Sequence, residues 1–363
     1  MRIVFWAHTQ FQGSTFRVSS HHLARELARR GHDVLHIAPA RSPTRVRGDS
    51  LKQLVELPEG FSEVRVEHMF PPVELLKMVR VASLADRLVS RSVVRSLLGH
   101  GASKWFEADL AFVDKVDYGT AAALMAPARL IYRPTDVFSR NGRLLQDREL
   151  RLAMDAEQVI GTSQVVVDRL SERLATKALV SVVRNGAPVA ALSVHEGDHD
   201  ARVAIYVGAI DHRLDIDSLR QVADLLPSWK FLIYGPRPRR TLGPENLSFC
   251  GPIAPSDLGP ALAAASVGLM PFKPDSVENQ GRSPMKHYEY RAVRLPIVAA
   301  RVDEMEVRND PAVFFYDDAA SFAVCLEKAF AYGASSSNSV LDADVSEMDW
   351  ASVCDRYLEI LEL

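Results

Sequence analysis

Lys286 and Glu289 stand three residues apart in Gly281-Arg-Ser-Pro-Met-Lys-His-Tyr-Glu-Tyr290, so a helix through them sets an ammonium and a carboxylate on one face, a turn apart. Ser283 suits the N-cap and Pro284 the first helical position, which leaves the exposed amides of the helix start beside Lys286. Together they form an anion site. Glu289, further from the helix mouth, can accept both hydroxyls of a ribose. One helix thus offers a phosphate end and a sugar end; the plain alternative is a capped helix with a solvated Lys–Glu pair. The helix must stop before Pro296, and Leu295-Pro-Ile-Val-Ala-Ala300 reads as a short buried strand.

A second candidate is Asp136, which follows the buried run Leu130-Ile-Tyr132 and Arg133 at the carboxyl end of a strand. A carboxylate there can take the proton of an acceptor hydroxyl, or it can cap a turn. His8, His21 and His22 are candidates for the same side of the molecule. On a helix the adjacent His21 and His22 point about 100° apart and make no metal pair. Asp215-Ile-Asp217 and Asp342-Ala-Asp344 have the form of diphosphate-metal strings, but one opens a helix and the other lies in an acidic loop, so capping and solvation account for them. The loop His8-Thr-Gln-Phe-Gln-Gly-Ser-Thr-Phe16 has one glycine where a dinucleotide turn needs three, and no P-loop occurs, so a nicotinamide or flavin cofactor is not supported.

Elements that position such groups follow a βα rhythm. Arg2–Ala7 is an opening strand, a helix runs to Gly31, and Asp33–Ala38, Leu110–Val113, Leu130–Tyr132 and Val159–Gly161 are further strands. After Asn185-Gly186 a second series begins: strands Val203–Val207, Lys230–Tyr234, Leu247–Cys250, Val267–Met270 and Pro296–Ala300, with helices over Asp217–Leu226, Ser256–Ala265 and the segment after Ser283. The expected organisation is an N-terminal Rossmann-like domain over 1–186, a linker over 187–201, a second Rossmann-like domain over 202–340, and a C-terminal helix over 341–363 packing back on the first domain. The fold class is α/β, two doubly wound parallel sheets facing across a cleft. Ligands bind beyond the carboxyl ends of such strands. The loops there place Gly208, Ile210, Tyr234 and Arg237 on the side of the anion-site helix, and Gly208 either lets a ligand approach the backbone closely or is a plain turn glycine.

The 363 residues suit two domains, and 43 basic against 46 acidic residues give a net charge of −3, with no basic field for nucleic acid. Cys250, Cys325 and Cys354 are far apart, consistent with a reducing compartment and with neither a disulfide framework nor a zinc site. No secretory signal and no run of eighteen apolar residues is found. The expected location is the cytoplasm, or the membrane approached from its cytoplasmic side. For the latter, Arg80, Arg87, Arg91 and Arg95 with Leu84, Leu88, Val94 and Leu98 form a basic amphipathic side between residues 75 and 98 that can rest on anionic headgroups; a helix packed on its own sheet with a solvated basic edge is the alternative.

These features together resemble the GT-B nucleotide-sugar glycosyltransferases, and more closely the β-glucuronosyltransferase family of xanthan assembly and related family 4-like proteins. The resemblance runs through most of the chain: the opening strand and His8, the helix ending in Arg30-Gly-His32, Leu130-Ile-Tyr-Arg-Pro-Thr-Asp-Val-Phe-Ser139, Tyr206-Val-Gly-Ala-Ile210, Ser283-Pro-Met-Lys286 with Glu289-Tyr290, and Leu295-Pro296. It implies Asp136 as catalytic base and donor contacts from Met285, Lys286 and Glu289. Ser283 at the helix start joins the donor-binding candidates, and His8, Arg17, His21 and Arg133 are the acceptor-side candidates. Three departures bear on mechanism. Glu289 replaces the family's Gln; Gly281 stands where retaining relatives carry a Glu; and only Arg213 represents the Arg and Lys those relatives place after the first strand of the second domain.

The implied reaction is an inverting single displacement from a UDP-linked donor, with UDP-glucuronate as the candidate, onto a lipid-linked glycan or small-molecule acceptor. Lys286 and the helix amides hold the departing diphosphate, so no metal or other cofactor is expected. A nucleotide-sugar 2-epimerase, a retaining family 4-like transferase and a non-catalytic nucleotide-sugar binding protein share the architecture.

Overall fold

The computed structural model describes residues 1–14, 17–41, 54–67, 82–137, 142–174, 180–192, 201–236, 243–334, 341 and 345–363. The chain forms two compact units, Met1–Val183 with Tyr357–Leu363, and Arg184–Arg356.

The first unit is built on an eight-stranded sheet: β1 (Arg2–Trp6), β2 (Asp33–Arg41), β3 (Val55–Glu56), β4 (Ser62–Glu67), β5 (Leu110–Val113), β6 (Arg129–Tyr132), β7 (Gln158–Gly161) and β8 (Val180–Val182). Their order is β3-β4-β2-β1-β5-β6-β7-β8, parallel throughout except for the β3–β4 pair. β5 along its whole length and β1 from Ile3 onward are apolar and buried because both faces of a parallel sheet are covered. Val4, Trp6, Val64 and Val113 share one core with Val93 and Leu97 of the helix Ala82–Gly99. On the opposite face Phe5 stacks on Phe112 with ring centroids 4.8 Å apart. β3, β4 and β8 go beyond the strands expected from sequence. In β4 the two valines serve the main core, while the alternate Glu63 and Arg65 are buried on the other face, so its polar alternation does not mark a solvent side.

At the carboxyl edge of this sheet, Asp114 after β5 and Arg133 after β6 form a buried two-pronged ion pair, Nε to Oδ1 at 2.8 Å and Nη2 to Oδ2 at 2.5 Å, with a third guanidinium hydrogen bond to Ser19 Oγ at 3.2 Å. Removing one partner strands a charge in the interior. Asp114→Ala is therefore expected to cost about 3–5 kcal/mol of stability, read as a lowered urea midpoint with an unchanged slope. The last residues of the helix Trp350–Ile360 return to this unit: Tyr357 packs edge-on to Phe112 at 6.0 Å, and Arg129 Nη1 donates to the Leu361 carbonyl at 2.7 Å.

The second unit carries a six-stranded, fully parallel sheet, β9 (Val203–Val207), β10 (Lys230–Tyr234), β11 (Leu247–Gly251), β12 (Val267–Met270), β13 (Ile297–Ala300) and β14 (Val313–Tyr316), in the order β11-β10-β9-β12-β13-β14. The chain winds one way from β9 to β11 and the other from β12 to β14. Its topological switch point therefore lies between β9 and β12, where the loops leaving the two strands diverge and open a crevice. Residues 187–192, expected as linker, are part of this unit: Ala187 bridges to Asp349, and Val189 and Leu192 of a short helix enter the core. Asp215 caps the helix Ile216–Leu225, accepting from Ser218 N at 3.0 Å, which is the capping role expected for it.

Candidate functional site

The switch point of the second sheet is where the charged helix arrives. Gly208 ends β9, and a Cβ placed on it would lie 3.0 Å from Lys286 Nζ and 2.9 Å from the Tyr206 hydroxyl, so the lysine reaches across the bare backbone. Lys286 Nζ lies 5.0 Å from the centroid of the Tyr206 ring and 5.1 Å from that of Phe272, the latter just after β12. Arg282, Arg213, Glu289 and Asp211 all act on it electrostatically. Burial, then the like charge of Arg282, lower the Lys286 ammonium to about 7, with Glu289 opposing the shift. Burial in turn raises the Glu289 carboxyl, with Lys286 opposing. Arg213 grips Asp211 through Nε at 3.0 Å and through Nη2. Lys286 thus stands over a backbone without side chain, in the field of two further cations and two carboxylates, an arrangement that charge-assisted binding of a diphosphate fits.

Arg282 and Asp211 escape sequence reading because neither has a distinctive spacing. Arg213 is noticed there only as the survivor of a broken pattern.

The helix itself differs from expectation at its start. It spans Met285–Ala292 with Pro284 as N-cap and no side-chain capping bond. Ser283 is buried and faces inward: its hydroxyl accepts from Arg308 Nη2 at 2.8 Å and from Asn185 N at 3.3 Å, and lies 3.2 Å from the Tyr288 hydroxyl. Ser283 therefore holds the helix from behind and does not cap it. Arg308 is itself fixed by Glu304 at 3.2 Å and approaches His287 Nδ1 at 3.3 Å, while His287 Nε2 lies 2.8 Å from Asp310. So residues 283 and 287 anchor the rear, and 282, 286 and 289 are left to the front. Met285 is half-buried at the first turn.

Of the other candidates on this side, Ile210 is packed by the approach of two loops: a Cβ on Gly235 would lie 2.0 Å from the Gly208 carbonyl and 2.9 Å from Ile210 Cγ1. Tyr234 stands at the end of β10 beside Cys250, and burial followed by Cys250 raises its hydroxyl. Arg237 lies outside the described residues, as do Asp342 and Asp344.

The first unit has its own switch point, between β1 and β5, and the loop leaving β1 carries His8. Thr135 Oγ1 lies 3.3 Å from His8 Nε2 and donates to Asp136 Oδ2 at 3.2 Å, so His8 is linked in one chain to the adjacent pair Thr135 and Asp136, remote from it in sequence, and all three are half-buried. A pocket of about 310 Å³ opens beside it, lined by His8, Thr9, Gln10, Gln12, Gly13, Ser14, Pro39 and Arg65. Arg17 lies over the Phe11 ring at 3.7 Å and donates to the Ser14 carbonyl at 3.2 Å, closing the loop that forms the wall. His21 is not at this site. It is buried between Phe11 and His36, and burial, then His36, lower its imidazole to about 2, so it is a neutral core histidine. Arg133 is likewise withdrawn: its guanidinium is spent on Asp114 and Ser19 inside the sheet edge.

Comparison with known proteins places these features. Residues 201–331 match the family described as glycosyl transferases group 1. A curated relative is TuaH of Bacillus subtilis (strain 168), whose name assigns it to teichuronic acid biosynthesis as a glycosyltransferase; it is 24% identical over 205 residues, 51% of either chain. The chain thus spans about half the length of the curated relative it matches. Solved structures are similar along nearly the whole chain. Anabaena HepE, in complex with UDP-glucose, has a TM-score of 0.71 at 15% identity, covering 100% of this chain and 99% of that one. Sucrose-phosphate synthase from Thermosynechococcus elongatus has a TM-score of 0.70 at 15% identity, covering 99% and 98%. The fold is GT-B, and the match to the group 1 glycosyl transferases falls within its second unit.

Proposed function

We propose that this chain is a glycosyltransferase that moves a sugar from a UDP-linked donor to an acceptor hydroxyl with inversion at the anomeric carbon. The observation that carries the reading is the reach of Lys286 over Gly208 at the β9/β12 switch point, with Arg282, Arg213 and Glu289 around it. The group 1 domain match and the UDP-glucose complex of a similar structure support a nucleotide-sugar donor.

The roles divide by chemistry. Charge develops on the departing diphosphate in the transition state, and fixed cations with the amides of the first helical turn stabilise it there, supplying what a metal ion supplies in other transferases. Glu289 accepts from the ribose hydroxyls. Asp136 takes the proton of the attacking acceptor hydroxyl, with Thr135 and His8 orienting its carboxylate. Inversion is favoured because Gly281 leaves no carboxylate at the position where retaining relatives have one. Arg282, beside that glycine, favours a donor sugar that carries its own carboxylate, such as glucuronate.

A lipid-linked glycan is the acceptor source we favour. On the helix Ala82–Gly99, Arg87, Arg91 and Arg95 are exposed together with Leu88 and Leu98, at 43% and 48%, which suits contact with anionic headgroups. Arg80 and the side chain of Leu84 lie outside the described residues. Among the described residues no helix is long and apolar enough to cross a membrane. A role in making an envelope polysaccharide is in keeping with the teichuronic acid assignment of the curated relative.

The direct test is calorimetry against UDP, TDP and GDP with EDTA present, then against UDP-glucuronate, UDP-glucose and UDP-N-acetylglucosamine. Metal-independent, micromolar binding of UDP and its glucuronate conjugate is expected; binding of none of these sinks the reading.

The pH dependence follows from the charge cluster. Lys286 titrates at about 7 in the free protein, and a bound diphosphate favours its charged form. Binding above that pH must therefore take up a proton, and UDP affinity should fall up to about tenfold per pH unit on the alkaline side. Lys286→Arg keeps its charge at every pH and should flatten that limb. An alkaline limb equally steep in both proteins would remove Lys286 as its cause.

A further inference from the structure

We propose that the pocket after β1 selects an acceptor that bears an anionic group, a carboxylate or a phosphate, through Arg65. This deepens the transferase reading and rests on it for the presence of an acceptor beside Asp136. Arg65 lines the pocket although its residue surface is only 5% exposed. A guanidinium has five N–H donors in a planar fork, so a protein partner does not exhaust it, and the fork matches a carboxylate or phosphate two-pronged. The neighbouring charge that would compete is already engaged. Glu63, two residues earlier on the same face of β4, accepts from Phe11 N at 2.6 Å and Gln12 N at 2.9 Å and lies 3.1 Å from His36 Nδ1. Burial raises the Glu63 carboxyl, but His36 and the two amides outweigh it and hold the group below its ordinary range. The remaining lining is His8, Thr9, Gln10, Gln12 and Ser14 with Gly13 and Pro39, which supply hydrogen bonds and no carboxylate.

The wall is also held rigid before any ligand arrives. Glu63 ties down the amides of Phe11 and Gln12 from beneath, and Arg17 clamps the Phe11 and Ser14 carbonyls from the other end. Gly13 takes the left-handed turn, φ 72°, that closes the loop. At about 310 Å³ the pocket is at the small end of ligand sites, the size for one sugar with its substituent. His8 stands on its rim and connects through Thr135 to Asp136, so a ring seated with its anion at Arg65 presents a hydroxyl towards the base.

The test is ligand-observed NMR on the full chain with three probes of similar size: methyl β-glucuronide, glucose 6-phosphate and methyl β-glucoside. At least one anionic probe should bind ten times or more tighter than the neutral glycoside, and inorganic phosphate should displace it. The uronide and phosphate arms tell the two anion sources apart. Arg65→Gln should erase the preference, and Arg65→Lys should restore part of it. Equal binding of charged and neutral probes, a preference surviving Arg65→Gln, or no binding of any probe by protein that binds UDP would each overturn the proposal while leaving the transferase reading standing. Should Arg65→Gln fail to fold, the wild-type panel and the phosphate competition decide alone. Failure of the same preparation to bind UDP would count against the donor-site reading, and a ten-fold anionic preference in it would still support the pocket.

Discussion

Lys286→Ala is expected to slow sugar transfer about 100- to 1,000-fold, a loss of about 2.7–4 kcal/mol of transition-state stabilisation, by comparison with removal of a single oxyanion-hole donor. The size follows from where the ammonium sits. It is half-buried, between the rings of Tyr206 and Phe272, where water screens poorly and where the departing diphosphate gains charge as the glycosidic bond breaks. A cation that binds ground and transition states equally would change only KM; one aimed at charge that develops changes kcat as well. Misfolding can be told apart from this loss. Lys286 is held uncomfortably, with burial and Arg282 both disfavouring its charge, so its removal relieves a cost and the melting temperature should hold or rise. The measurement is initial rate of donor consumption alongside thermal melting. Near-normal turnover would mean that Arg282 and Arg213 carry the leaving group and that Lys286 is a bystander.

The charged face of that helix was legible because its information is local. Spacing alone puts 286 and 289 on one side of a helix, and the order of apolar runs places that helix after a strand. The start of the same helix was not legible. Whether Ser283 caps or turns inward depends on Arg308, 25 residues later, and Asn185, 98 residues earlier, neither of which any local pattern links to it. Arg133 fails as a ligand contact for a similar reason. Its neighbour Asp136 in sequence is not its partner in space; Asp114, just after the adjacent strand β5, is. β4 was hidden because Glu63 and Arg65 imitate a solvent face while both are buried under the loop that follows β1. Strands that look half-exposed can thus be floors of sites, and their polar residues are where a site's chemistry is hidden from periodicity.

Asp136→Asn is the second large effect, an expected loss of about 100- to 10,000-fold in transfer, the range for a positioned general base. The substitution is close to isosteric. Asp136 is half-buried and receives the Thr135 hydroxyl on Oδ2 at 3.2 Å, a bond that the amide oxygen of asparagine can still accept, so the local geometry and the link to His8 should persist. What disappears is the capacity to take a proton. The residues proposed to hold the donor belong to the other unit of the chain, so UDP affinity should be unchanged, and the variant should also keep whatever acceptor affinity the wild type has. This separates two explanations that a rate alone confuses. A base contributes to kcat and leaves binding alone; a turn cap contributes to the fold, and its loss lowers stability and every binding constant together. Thr135→Val sharpens the distinction, because it cuts the connection between His8 and Asp136 without touching the carboxylate. If Asp136 is the base, that variant should lose activity in part, by misorienting an intact carboxylate, whereas Asp136→Asn loses nearly all of it. Equal, modest losses from both, with a parallel fall in UDP affinity, would make the His8–Thr135–Asp136 chain a structural brace and would move the search for the base elsewhere along the loops of the first unit.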